Sequence, residues 1–208
     1  MDKRLFAIIS VTIIELLFRA LYGFVRIDPL TYTLLARTAE LLVILLLALD
    51  MCGIRVKSIQ RELALGLGLS IVFGLGVVLL DILSRLVIQG GVLHHLLGRM
   101  SFDSPLMFLI VGCIFAPFVE ELFFRGLIYA WLRTHVPVAF AVLVTALLFA
   151  LIHGKSLSPI GVLLSPQFIG GIIFALIYQW RNDIWPGYVV HVLGNLGVWL
   201  FPYYYPWI

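Results

Sequence analysis

Long runs of apolar residues dominate this chain and leave it few folds to choose from. A hydrocarbon core is crossed by about 20 apolar residues of helix. Seven segments approach that pattern: 5–25, 30–51, 63–88, 105–132, 138–153, 160–180 and 184–201. Of the 208 residues, 62% are hydrophobic and 12% charged, whereas a soluble domain is roughly half apolar and a quarter charged. A water-soluble fold of this size could not hide so much apolar surface, so the bilayer is the expected solvent. The expected fold is all-α, a polytopic transmembrane bundle of about seven spans (six to eight) forming one integral membrane domain over residues 1–208.

Several local features refine that expectation. The fourth segment contains Pro117, which should kink or split it, and the fifth is short. Residues 92–102 suggest an extra interfacial or re-entrant piece. The MDKR start leads into a stretch carrying Glu15 and Arg19 with no small-residue cleavage site after it, which reads as a retained first helix rather than a signal peptide. Gly66, Gly68, Gly74 and Gly76 are expected to allow close helix contact. Trp199 and the tail FPYYYPWI suggest an aromatic belt at a membrane surface. Cys52 and Cys113 are expected to pack as small hydrophobes. The formal charge of +3 is scattered, which gives no support to nucleic-acid binding. Lys3, Arg4, Arg55, Lys57, Arg61, Arg133 and Arg181 fall on one side of a seven-span arrangement, with Arg26, Arg99 and Lys155 on the other. The positive-inside rule then places the N-terminus in the cytoplasm and the C-terminus outside.

A charge at bilayer depth costs about 2.5 kcal/mol or more on insertion scales, so each one needs a reason. Early in the chain, Glu15 and Arg19, Arg37 and Glu40, and Asp81 and Arg85 stand three or four residues apart. At that spacing they share a helix face and can neutralise one another. The expected role is helix packing, since no groups are evident that would complete a polar pathway.

The later half is denser in such groups. The fourth segment reads FVEELFFRGLIYAWL, with Glu120, Glu121 and Arg125; the fifth ends LLFALIHG, with Phe149 and His153; the seventh reads GYVVHVLGNLG, with His191 and Asn195. Glu121 and Arg125 share a face, as do His191 and Asn195. Glu120 points about 100° from Glu121 at 3.6 residues per turn, so it is left to face something else. A Glu in a dry pocket is a useful general base, a neutral His can hold the same water, and a second His with an Asn amide can serve an oxyanion. Three independent polar pairs that merely join helices would satisfy the same spacing.

The three segments, in order, resemble the signature of the CAAX-protease and bacteriocin-processing family of intramembrane peptidases: EExxxR at Glu120–Arg125, FxxxH at Phe149 to His153, and HxxxN at His191 to Asn195. The motif-bearing region, about 105–200, would be the catalytic core. The resemblance implies a membrane-embedded, glutamic-type protease acting on a membrane-associated or C-terminal-tail peptide. By it, Glu120 would activate water, His153 would help position that water, His191 and Asn195 would form the oxyanion site, and Glu121 and Arg125 would support them. No cofactor is expected; zinc is the alternative, with Glu120, His153 and His191 as its ligands. The GxSG, GxGD and HExxH motifs of other intramembrane proteases are missing. The expected partners are a peptide or protein substrate and the lipid bilayer, and the expected location is a prokaryotic plasma membrane. A non-catalytic immunity or scaffold protein is the competing reading.

Overall fold

The computed structural model describes residues 2–55, 58–87, 104–153 and 158–204, with side chains described through residue 201. The described residues form eight helices and no strand. These are α1 (Lys3–Tyr22), α2 (Pro29–Leu47), α3 (Ile59–Ser84), α4 (Pro105–Leu132), α5 (Val138–His153), α6 (Pro159–Leu163), α7 (Pro166–Arg181) and α8 (Trp185–Tyr204). The expected re-entrant piece at 92–102 and the tail side chains beyond residue 201 lie outside the described residues.

The helix starts are written in the local sequence. Asp2 accepts from the Arg4 N–H at 2.9 Å, Asp28 from Thr31 at 2.8 Å and Ser165 from Phe168 at 3.1 Å. A side-chain oxygen of this kind satisfies an N–H that the first turn leaves free. Pro29, Pro105 and Pro166 sit in first turns, where a missing N–H costs nothing. Helix α7 ends at Asn182 in the left-handed conformation, φ 49°.

Four helices, α1 to α4, are long and apolar enough to cross a membrane, and α5 is apolar but shorter. The expected seven spans are not reached by length and composition among the described residues. The sixth expected span, 160–180, is broken in two, because Ser165 caps a fresh helix and Pro166 cannot continue the previous one. Pro117, by contrast, does not split α4. The helix widens around it, with i to i+5 hydrogen bonding over Phe108–Phe115 and Glu121–Tyr129 and an α-turn at Ala116–Glu120 between them.

The later half of α4 is the core of the bundle, with every residue from Val119 to Tyr129 buried. Helix α1 packs along 121–129, α2 along 108–120, α5 on α7, and α3 on α8. The outside is apolar. Ile71, Val72, Leu75, Leu79 and Leu80 of α3 are all more than half exposed, and water would not tolerate that face. The chain is an integral membrane protein.

Cys52 and Cys113 are free and buried, as expected. Of the four glycines in α3, only Gly66 makes a close helix contact. A Cβ there would lie 2.7 Å from Val189 Cβ and 2.9 Å from the Pro186 carbonyl, whereas Gly68, Gly74 and Gly76 face open space. Other glycines do the same work unannounced: Gly126 against Cys52 and Gly171 against Ala146, each at 2.9 Å. Overpacking of this kind costs about 1–3 kcal/mol. Gly66→Ala should therefore lower the thermal midpoint of the detergent-solubilised protein. Gly74→Ala should leave it unchanged or raise it, by up to about 1 kcal/mol of helix propensity.

Candidate active site

The three motif helices do converge. Helix α4 presents Glu120, 5% exposed, between two imidazoles. Its Oε1 lies 3.5 Å from His153 Nε2 at the end of α5, and its Oε2 lies 3.6 Å from His191 Nε2 on α8. Each imidazole is oriented from behind. His153 Nδ1 meets the Phe149 carbonyl at 2.8 Å, and His191 Nδ1 meets Glu121 Oε1 at 2.9 Å. A carbonyl and a carboxylate can only accept, so each Nδ1 carries its hydrogen. Nε2 is then the nitrogen that faces Glu120, an acceptor in the neutral ring and a donor in the protonated one. The His153 side chain is 29% exposed and that of His191 only 4%, so His153 is the more accessible of the two.

Glu120 and Glu121, pointing apart on their helix as expected, stand on opposite nitrogens of His191. Glu121 Oε1 also lies 3.1 Å from Arg125 Nη1. The Arg125 guanidinium, 0% exposed, lies 4.7 Å from the ring centre of Phe149 and 4.9 Å from that of Phe174. Such cation–π contact compensates part of its lost hydration. Phe174 also stacks on His191 at 4.6 Å, and Phe149 touches both histidine rings. The pair Glu121 and Arg125 is thus a dry support beneath the histidine. Gly187 completes it, since a Cβ there would come 3.3 Å from Glu121 Oε2.

Asn195 lies on the same helix as His191, but its described hydrogen bond runs to the Gly112 carbonyl at 2.9 Å. That bond ties α8 to the widened first part of α4 and uses one of the two amide hydrogens.

The early charged pairs form as expected: Glu15 with Arg19 at 2.6 Å, Arg37 with Glu40 at 2.6 Å and Asp81 with Arg85 at 3.1 Å. The first two pairs are also linked to each other and to the site. Arg37 also reaches Glu15 at 3.0 Å and Glu120 Oε1 at 3.5 Å, which joins the first two helices to the site. From sequence Arg37 was read only as the packing partner of Glu40, and Phe174 and Gly187 were not singled out. Arg37 already had a local partner there, and the other two are ordinary residues of apolar helices.

The alternative zinc site was to use Glu120, His153 and His191. Their outer hydrogen bonds are of the kind that orients metal ligands. However, no three His, Cys, Asp or Glu side chains among the described residues are grouped so as to hold a metal ion. The Arg37 guanidinium beside Glu120 also opposes a dication there.

Residues 102–197, a little under half of the chain, match the family model described as type II CAAX prenyl endopeptidase Rce1-like. No curated protein and no solved structure matches the chain.

Breaking a buried ion pair from one side leaves an uncompensated charge and costs about 3–5 kcal/mol. Glu121→Gln and Arg125→Met should each lower the unfolding midpoint strongly, and the double variant should lose less than the sum of the two.

Proposed function

We propose, from the premise that residues 102–197 belong to the type II CAAX prenyl endopeptidase Rce1-like family, that the chain is an intramembrane glutamic-type endopeptidase. It hydrolyses a peptide bond of a membrane-associated or C-terminal-tail substrate. The observation that carries this reading is the placement of one buried carboxylate against two imidazole Nε2 atoms delivered by separate helices.

A water beside Glu120 Oε1 and His153 Nε2 has two acceptors. Glu120 takes one of its protons as the oxygen attacks the scissile carbonyl carbon. The carbonyl oxygen becomes an oxyanion. It is met by the remaining Asn195 amide hydrogen and by His191, which in its doubly protonated form donates from Nε2 while Nδ1 stays on Glu121. Glu120 then delivers the captured proton to the leaving nitrogen, the C–N bond breaks, and an acid and an amine are released. Glu121 and Arg125 keep His191 in register. No cofactor is assigned.

His153 is the more exposed of the two histidines, so on this reading the substrate approaches from its side. At the opposite end Arg4 and Arg133 line one cavity, and Arg181 pairs with Glu62 at 2.5 Å. This gathering of cations supports a cytoplasmic N-terminus by the positive-inside rule. With α7 and α8 taken as further spans, the proposed location is a prokaryotic plasma membrane.

General acid–base groups contribute about 10²–10⁴-fold. Glu120→Gln, His153→Ala and His191→Ala should each lower peptide cleavage by at least about 100-fold while the protein still folds. Cleavage by purified protein should survive exhaustive chelation. Loss on chelation with recovery on zinc would overturn the metal-free mechanism, and unchanged cleavage by Glu120→Gln would overturn the assignment.

A further inference from the structure

We propose that Arg37, on α2 and outside the family-matched segment, is a positioning residue for the Glu120 carboxylate. The inference deepens the peptidase reading and rests on it. Among the described residues, Arg37 is the guanidinium within ion-pair distance of Glu120, because Arg125 of the same helix is turned to Glu121. Its Nη2 meets Oε1, the oxygen that also faces His153 Nε2. That contact fixes which carboxylate oxygen turns to which histidine, and leaves Oε2 for His191.

The geometry behind Arg37 is a closed circuit. Its Nη1 is held by Glu40 at 2.6 Å and by Glu15 at 3.0 Å. Glu15 is held in turn by Arg19 Nε at 2.6 Å, and Arg19 Nη2 donates to the Ile152 carbonyl, the residue before His153. The path therefore runs from Glu120 on α4 through α2 and α1 to the end of α5, and returns to Glu120 through His153. A planar fork anchored on one side and presented on the other suits this task, and a lysine point charge does not. A residue needed only to pair α1 with α2 would be satisfied by Glu15 and Glu40. Arg37 has both and still turns its second nitrogen to Glu120.

The test uses full-length protein in detergent and a quenched-fluorescent peptide chosen from a library with apolar C-terminal sequences. Arg37→Gln should lower kcat by about 100-fold with little change in KM, the signature of an interaction made in the transition state. Arg37→Lys should recover only part of that loss. Arg181→Gln, which removes an ion pair at the far end of the bundle, should leave both constants unchanged. In parallel, thermal unfolding should show coupling: Arg37→Gln lowers the midpoint of the wild type and has a smaller effect when Glu120 is already Gln. Wild-type kcat in Arg37→Gln, a loss confined to KM, or full recovery by lysine would overturn the proposal. Additive midpoint shifts would overturn it as well. If the wild type cleaves no library peptide, the peptidase reading fails by itself, and the unfolding cycle still decides whether Arg37 holds Glu120.

Discussion

A carboxylate that is 5% exposed in an apolar bundle has to be answered by a cation or by hydrogen-bond donors, and groups from three other helices reach Glu120. Helix α5 brings His153, α8 brings His191, α2 brings Arg37, and α4 itself keeps Glu121 with Arg125 one step away. None of these partners is close to Glu120 in sequence except those on its own helix. The position of α4 at the centre of the bundle follows from this demand. Its later half is buried along its whole length, with α1, α2, α5, α7 and α8 packed against α4. The i to i+5 turns on either side of Glu120 belong to the same arrangement, since widened turns are frequent at functional sites.

The two histidines differ in their surroundings, and the proposed mechanism gives them different tasks. His191 is enclosed, with a carboxylate at each nitrogen and the Phe174 ring against its face. His153 is partly exposed, with its Nδ1 committed to its own helix through the Phe149 carbonyl. The enclosed ring is suited to holding charge that develops deep in the site. The open one is suited to receiving water and substrate. Phe149 links both, touching each imidazole and carrying the Arg125 guanidinium on its face. The phenylalanine of the FxxxH motif is therefore part of the wall that keeps the ion pair dry.

Much of this was legible in the residues. Spacing on a helix places Glu121 with Arg125, and His191 with Asn195, and it leaves Glu120 to look elsewhere; the structure keeps these relations. The long apolar segments announced a helical membrane protein, and α1 to α4 satisfy that on length and hydropathy. What escaped is long-range or depends on space. Arg37 has Glu40 three residues away, so local balance concealed its reach across to Glu120. The glycines of α3 look alike in sequence, yet only Gly66 faces a neighbouring backbone. The break before α7 hinges on whether Ser165 turns back to cap the next helix, which the hydropathy of 160–180 cannot reveal. Asn195 was read for its chemistry, while its described bond also holds two helices together.

The central claim is that one carboxylate is shared by two imidazoles from separate helices. Nitrogen NMR of histidine-labelled protein tests it most directly, with the resonances assigned by single substitution and compared before and after Glu120→Gln. Both His153 and His191 should shift when that charge is removed, whereas His135, exposed beyond the end of α4 and bonded to the Trp131 carbonyl at 2.9 Å, should not. If the resonances of His153 and His191 stay where they were, the shared site does not exist.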